Sequence, residues 1–201
     1  MEIKEFQPKI HVFGVGGCGG NIVHNLKANA RLSKILINTD ANHLNIQSSR
    51  TTSLDAAILC GKETCRGCGC GGNISKGYQS DKESFSNMMY IFSHNQINLF
   101  ICGLGGGSGT GITKYILKEL KKYNKFNKYN IVLCTFPFDI ERRRIKKAPT
   151  ALKTISKDCD LLILIDMEAI LQECTKKMHI LKKFRWINNL IKVYITNLSR
   201  L

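Results

Sequence analysis

The 201-residue chain has no apolar run close to the roughly 20 residues that a helix needs to span a bilayer, so membrane insertion is not expected. It also lacks the apolar core of a secretory signal: it opens Met1-Glu2-Ile3-Lys4-Glu5. No linker, internal repeat or low-complexity stretch divides it, which makes one domain over residues 1–201 the economical reading. The pattern G-x-x-x-x-G-K-[ST] is missing, which excludes a P-loop NTPase. Acidic residues are scarce, 15 against 30 Lys plus Arg, for a formal charge of +15. A polyanionic partner is one explanation. However, Lys outnumbers Arg and is spread along the chain, and Lys, Asn and Ile share A/T-rich codons. The densest basic stretches, 114–128, 142–147 and 176–183, read as solvated surface, and nucleic acid is not an expected partner.

What is present is ordinary globular composition, 43% hydrophobic and 22% charged. Nine cysteines in a chain of this size read as reduced cytosolic thiols, which places the protein in the cytoplasm. Short apolar runs alternate with helix-like stretches. Strands are predicted at 9–14, 34–38, 56–60, 98–103, 131–135 and 161–165, and helices at 22–32, 80–93, 110–122 and about 178–201. Continuous apolar runs suit strands buried on both faces. The predicted fold is therefore α/β: a three-layer, mostly parallel, Rossmann-like sheet flanked by helices.

Three glycine-rich segments each follow a predicted strand. Gly14-Val15-Gly16-Gly17-Cys18-Gly19-Gly20-Asn21 contains G-x-G-x-x-G, and Asp40 lies near the end of the second strand, where a dinucleotide-binding fold keeps its ribose acid. Alone, that match leaves a Rossmann cofactor domain open. Residues 103–111 add a second loop with five glycines in the seven positions from Gly105 to Gly111. Its bare N–H groups and the hydroxyls of Ser108 and Thr110 suit a polyphosphate. Positive φ is expected at Gly107 and Gly109. The third segment is Cys65-Arg66-Gly67-Cys68-Gly69-Cys70-Gly71-Gly72-Asn73. Three such loops fit one nucleoside triphosphate laid along a sheet edge.

With those motifs in order, the sequence resembles the FtsZ/tubulin superfamily, on its bacterial-type FtsZ branch, over nearly its whole length. The resemblance implies a GTP-binding cytoskeletal protein of cell division, a polymer of the septal ring that binds GTP or GDP with Mg²⁺. By that resemblance Gly16, Gly17, Cys18, Gly19, Gly20 and Asn21 form the first phosphate loop, and Asn38 and Asp40 follow the second strand. Gly69, Cys70, Gly71 and Gly72 sense the γ-phosphate. Gly105, Gly106, Gly107, Ser108, Gly109, Thr110 and Gly111 form the signature loop. Glu141 and Arg144 hold the sugar, Phe184 stacks on guanine, and Asn188 reads its edge. The family's ribose-contacting Asn is replaced by Met167.

The resemblance also implies longitudinal contact with copies of itself or with a full-length relative, division-ring proteins as further partners, and a place at the division site. The family's activating acidic loop, second domain and adaptor-binding tail lie past its central helix and have no counterpart in these residues. No catalytic residue is therefore expected here, and GTP binding without efficient turnover is. A non-hydrolysing regulatory or degenerate form and a Rossmann dinucleotide domain stay as alternatives. Cys60, Cys65, Cys68 and Cys70 include a zinc-like C-x-x-C-x-C. The cysteines of that motif sit where the family has ordinary loop residues, and no metal site is expected.

Overall fold

The computed structural model describes residues 9–26, 30–93, 97–123, 128–173 and 180–198. Among the described residues six strands form one sheet: β1 (Ile10–Val15), β2 (Leu32–Asn38), β3 (Ala56–Leu59), β4 (Ile97–Gly103), β5 (Tyr129–Phe136) and β6 (Leu161–Asp166). Their spatial order is β3-β2-β1-β4-β5-β6, and every ladder is parallel. The helices are α1 (Gly16–Val23), α2 (Ala41–Arg50), α3 (Ile74–Ser84), α4 (Met89–Ser93), α5 (Gly107–Lys122), α6 (Arg142–Ile145), α7 (Ala148–Ile155), α8 (Met167–Glu173) and α9 (Ile180–Leu198). A 3₁₀ turn, Phe85–Met88, joins α3 to α4.

Successive strand residues point to opposite faces, and the apolar runs fill both. Phe13, Val15, Ile35, Ile37, Phe100 and Val132 meet α3, α5 and α7 on one side. Val12, Leu36, Leu99, Ile101 and Leu133 meet α1, α8 and the inner face of α9, Ile187, Ile191 and Ile195, on the other. The three-layer parallel expectation holds. The outer face of α9 leaves Trp186, Leu190, Val193 and Tyr194 exposed. Among the described residues no helix is long and apolar enough to cross a membrane.

Several helix boundaries differ from the sequence expectation. The helix predicted at 22–32 runs instead from Gly16 to Val23, because its glycines are part of the helix rather than the loop before it. The helix predicted from residue 80 starts at Ile74, where the Asn73 side chain accepts from the Lys76 N–H at 3.1 Å. α2 was not predicted: its residues are mostly polar, and it is started by the Asp40 carboxylate accepting from the His43 N–H at 2.9 Å. α5 begins at Gly107, three residues early. Glycine there serves packing: a Cβ on Gly111 would lie 2.4 Å from the Ile74 carbonyl, so α5 and α3 meet backbone to backbone.

Candidate functional site

The C-terminal ends of β1, β2 and β4 open onto one trough, at the point between β1 and β4 from which the strand order runs both ways. Such a switch point is where open α/β sheets take their ligands. Two cavities make it up, of about 410 and 310 Å³, joined through Gly17, Cys18, His43, Gly103 and Arg144, which line both.

Backbone builds the larger cavity. Gly17 and Cys18 come from the β1–α1 turn, and Gly106, Gly107, Ser108 and Gly109 from the β4–α5 turn. Gly69, Cys70, Gly71 and Gly72 come from the loop after β3, and Asn38 and Asp40 from the end of β2. Gly16 locks the first two turns together. It has φ +70°, and a Cβ there would sit 2.7 Å from the Gly109 nitrogen.

The helices that begin at this cavity differ in how they are capped. α2 and α3 carry side-chain caps, from Asp40 and Asn73. Among the described residues α1 and α5 have none, and no acidic residue lies in their first turns. Their leading N–H groups and positive dipole ends are left for an anion. Asn38 adds a further donor. It is buried, its Oδ1 accepts from the Thr39 and Asp40 N–H groups, and its Nδ2 has no partner among the described residues.

Side chains build the smaller cavity. Asn21, Glu141, Arg144, Met167 and Asn188 line it, with Thr135 to Phe138 from the end of β5. Glu141 and Arg144 are ion-paired across one turn. The Gln47 amide donates to Asn21 Oδ1 at 2.9 Å and to the Gly17 carbonyl at 3.0 Å, tying α2 to α1. Cys18 contacts the Thr135 hydroxyl at 3.3 Å, and burial raises its thiol pKa, so it stays protonated. The side chain of Phe184 lies outside the described residues, although its backbone belongs to α9.

Not every predicted site residue faces the trough. Gly19 and Gly20 are buried inside α1, Gly19 against the Ile101 carbonyl. Thr110 and Gly111 are buried in α5, with the Thr110 hydroxyl donating to the Gly103 carbonyl at 3.3 Å. Positive φ is absent at Gly107 and Gly109, which are helical; it falls on Gly105, at +76°. A Cβ on Gly107 would instead strike Cys70 at 2.7 Å. His43 lines both cavities and was missed, because it follows from α2; the Asp40 cap three residues before it was the available signal. The three loop thiols do not converge. Cys65 and Cys70 are in contact, whereas Cys68 is exposed and turned toward the Arg66 carbonyl.

The model of the "Tubulin/FtsZ family, GTPase domain" matches residues 9–175. The chain is 32% identical over 173 residues to cell division protein FtsZ 1 of Methanocaldococcus jannaschii, covering 85% of this chain and 45% of that protein. It is 28% identical over 204 residues to the mitochondrial division protein fszB of Dictyostelium discoideum, covering 100% of this chain and 54% of that one. An empty FtsZ dimer from M. jannaschii superposes with a TM-score of 0.84 at 30% identity, over 99% of this chain and 56% of that one. CetZ2 from Haloferax volcanii, solved as a GTPγS-bound protofilament, superposes at 0.80 with 23% identity, a likeness of fold; it covers 95% of this chain and 58% of the other. The chain spans about half the length of the curated relatives it matches.

Proposed function

The chain belongs to the tubulin/FtsZ family, within its GTPase domain, and from that premise we propose that the trough binds GTP and GDP. The observation that carries this reading is the pair of uncapped helix N-termini, α1 and α5, facing one cavity. The phosphates lie across those N–H groups, and Asn38 Nδ2 gains the acceptor it lacks. The nucleoside lies in the smaller cavity, with Glu141 and Arg144 at the sugar and Asn188 at guanine; Phe184 is assigned to guanine by family resemblance alone.

The donor set suits Mg²⁺ travelling with the nucleotide. Among the described residues Asp40 is the one carboxylate lining the phosphate cavity, and hard oxygen donors of that kind hold Mg²⁺ alongside phosphate oxygens. When bound, the ion neutralises phosphate charge.

Hydrolysis needs a carboxylate that can orient water. Four of those in and beside the trough already accept hydrogen bonds or an ion pair among the described residues. Asp40 caps α2, Glu141 pairs with Arg144, the Asp166 carboxylate accepts from the Glu168 and Ala169 N–H groups, and Glu168 accepts from the Asp139 N–H. We assign the activating acid to a longer relative, acting in division, stacked on this face, and not to a second copy of these residues. The 201 residues alone then bind GTP and release phosphate near the background rate.

The strand order is also that of dinucleotide-binding sheets, so cofactor choice needs its own test. Fluorescent GTP is titrated into the purified chain with ATP and NAD⁺ as competitors, and phosphate release is followed over a concentration series. GTP and GDP should displace the probe well before the others. Equal displacement by NAD⁺ would return the protein to the dinucleotide binders, and robust turnover by the chain alone would refute the shared-site reading.

A further inference from the structure

The loop after β3 holds a pair of thiols, one of them in the phosphate cavity, whose sulfur chemistry nucleotide binding does not require. Cys65 and Cys70 are both buried, and their sulfurs lie 3.3 Å apart. Cys70 also lines the phosphate cavity. Its sulfur is 3.2 Å from the Thr39 hydroxyl, which is 2.7 Å from the Ser108 hydroxyl in the first turn of α5. A contact chain therefore runs from Cys65 through Cys70 and Thr39 into the phosphate cradle. The backbone of this loop can move: Arg66, Gly67 and Gly69 between the two cysteines, and Gly71 and Gly72 just after them, all have positive φ, and four of these five are glycines free to leave it.

We propose that Cys65 and Cys70 form a reversible dithiol–disulfide site in the cavity wall, oxidised by low-molecular-weight disulfides, and that its oxidation weakens nucleotide binding. The second half rests on the nucleotide reading above. The Cys70 thiolate, which borders the cavity, attacks one sulfur of RS–SR. That S–S bond breaks, and RS⁻ leaves and takes up a proton. Cys65 then gives up its proton and attacks Cys70 Sγ, expelling the second RS⁻, which is also protonated. Two protein thiols are oxidised and one RS–SR is reduced to two RSH. Burial raises the Cys70 pKa, so the first step quickens as pH rises.

Closing the bond brings the sulfurs to about 2.05 Å. Cys70 moves toward Cys65 and off Thr39, and the cavity wall from Cys70 to Gly72 moves with it. Coupling of this kind is reciprocal, so bound nucleotide should slow oxidation.

The test uses the full chain and its Cys68→Ser variant, oxidised with 2-hydroxyethyl disulfide. Trypsin cuts after Arg66, so a Cys65–Cys70 bond holds peptide 63–66 to peptide 67–76 until reductant is added. The expected result is that linked pair in both proteins, a roughly tenfold or greater loss of GTP affinity restored by dithiothreitol, and slower linkage under saturating GTP. Oxidised protein whose Cys65 and Cys70 still alkylate would overturn the site. A complete bond with unchanged GTP affinity would overturn the coupling. Reduced protein that fails to bind GTP at all would instead overturn the nucleotide reading and the coupling with it, leaving the peptide map to decide the disulfide.

Discussion

The two halves of the trough are made of different material. The half proposed to take the phosphates is mostly backbone: glycine turns after β1 and β4, two uncapped helix ends, and a glycine loop after β3. The half proposed to take the nucleoside is side chains delivered by the end of β5 and by α1, α6, α8 and α9. Each side is specified by what it must recognise. Phosphate is met by N–H groups that any residue carries, provided the chain can come close, so glycine spacing encodes it. A base and a sugar need particular groups at particular places, and those arrive through long-range packing.

The largest expected effect comes from filling the backbone half without disturbing the fold. Gly106 has φ −78° and ψ 155°, which any residue adopts, and a Cβ there would meet nothing nearer than the Gly103 carbonyl at 3.6 Å. Gly106→Val should lower GTP and GDP affinity a hundredfold or more, about 2.7 kcal/mol, with an unchanged melting temperature. Calorimetric titration beside a thermal melt checks this. Normal binding would place the phosphates elsewhere.

The second test concerns the footing of that half. Asp81, on α3 under the third loop, is fully buried, and its Oδ2 has no hydrogen bond among the described residues. Desolvation above all, with the Glu119 charge adding and the Cys60 thiol hydrogen bond opposing, pushes its pKa up to about 8. The folded state thus holds a proton that the unfolded chain releases near pH 4. Stability should be greatest below about pH 4 as far as this group goes, and fall as pH rises from about 4 to about 8. The slope approaches ~1.4 kcal/mol per pH unit. Urea melts of Asp81→Asn should lose that slope and gain stability at pH 8. An unchanged pH profile would show that Asp81 is ionised in the fold.

The side-chain half should respond in selectivity rather than in phosphate affinity. Asn188→Ala is expected to shrink the preference for GTP over ATP about tenfold, ~1.4 kcal/mol, while displacement of the probe by pyrophosphate stays as it was. A parallel loss for GTP and ATP would mean that Asn188 supports the pocket without reading the base. The smallest change is Met167→Asn, which restores an amide where the resembling family has one. Affinity for GTP should rise roughly two- to fivefold, with less gain for a nucleotide lacking the 2′-hydroxyl. Equal gains for both would remove Met167 from the sugar.

The same division explains what could be read from the sequence. The strands were legible because their apolar runs are continuous, and the phosphate half because its glycines cluster. Glycine marks more than loops: α1 and α5 both begin inside their glycine segments, since bare residues at a helix start allow backbone contact as well as unusual φ. α2 escaped because only Leu44 and Gln47 of its ten residues are buried, too few to show a period, and His43 escaped with it. Glu141, Arg144 and Asn188 were reached through family resemblance; no local pattern sets them around one cavity.

The position of the trough has a consequence for how the chain acquires its shape. β1 pairs with β2 on one side and with the much later β4 on the other, Val12 opposite Leu99. A chain emerging from its N-terminus can assemble β1, α1, β2, α2 and β3 from neighbouring segments, but the β1–β4 seam must wait for closure of a long intervening loop, a slow, entropically opposed event. Until then the α1 helix end stands alone, without its companion from α5. Guanine nucleotide should therefore leave the early rate of folding untouched and slow unfolding strongly, acting as a latch on the seam of widest sequence separation.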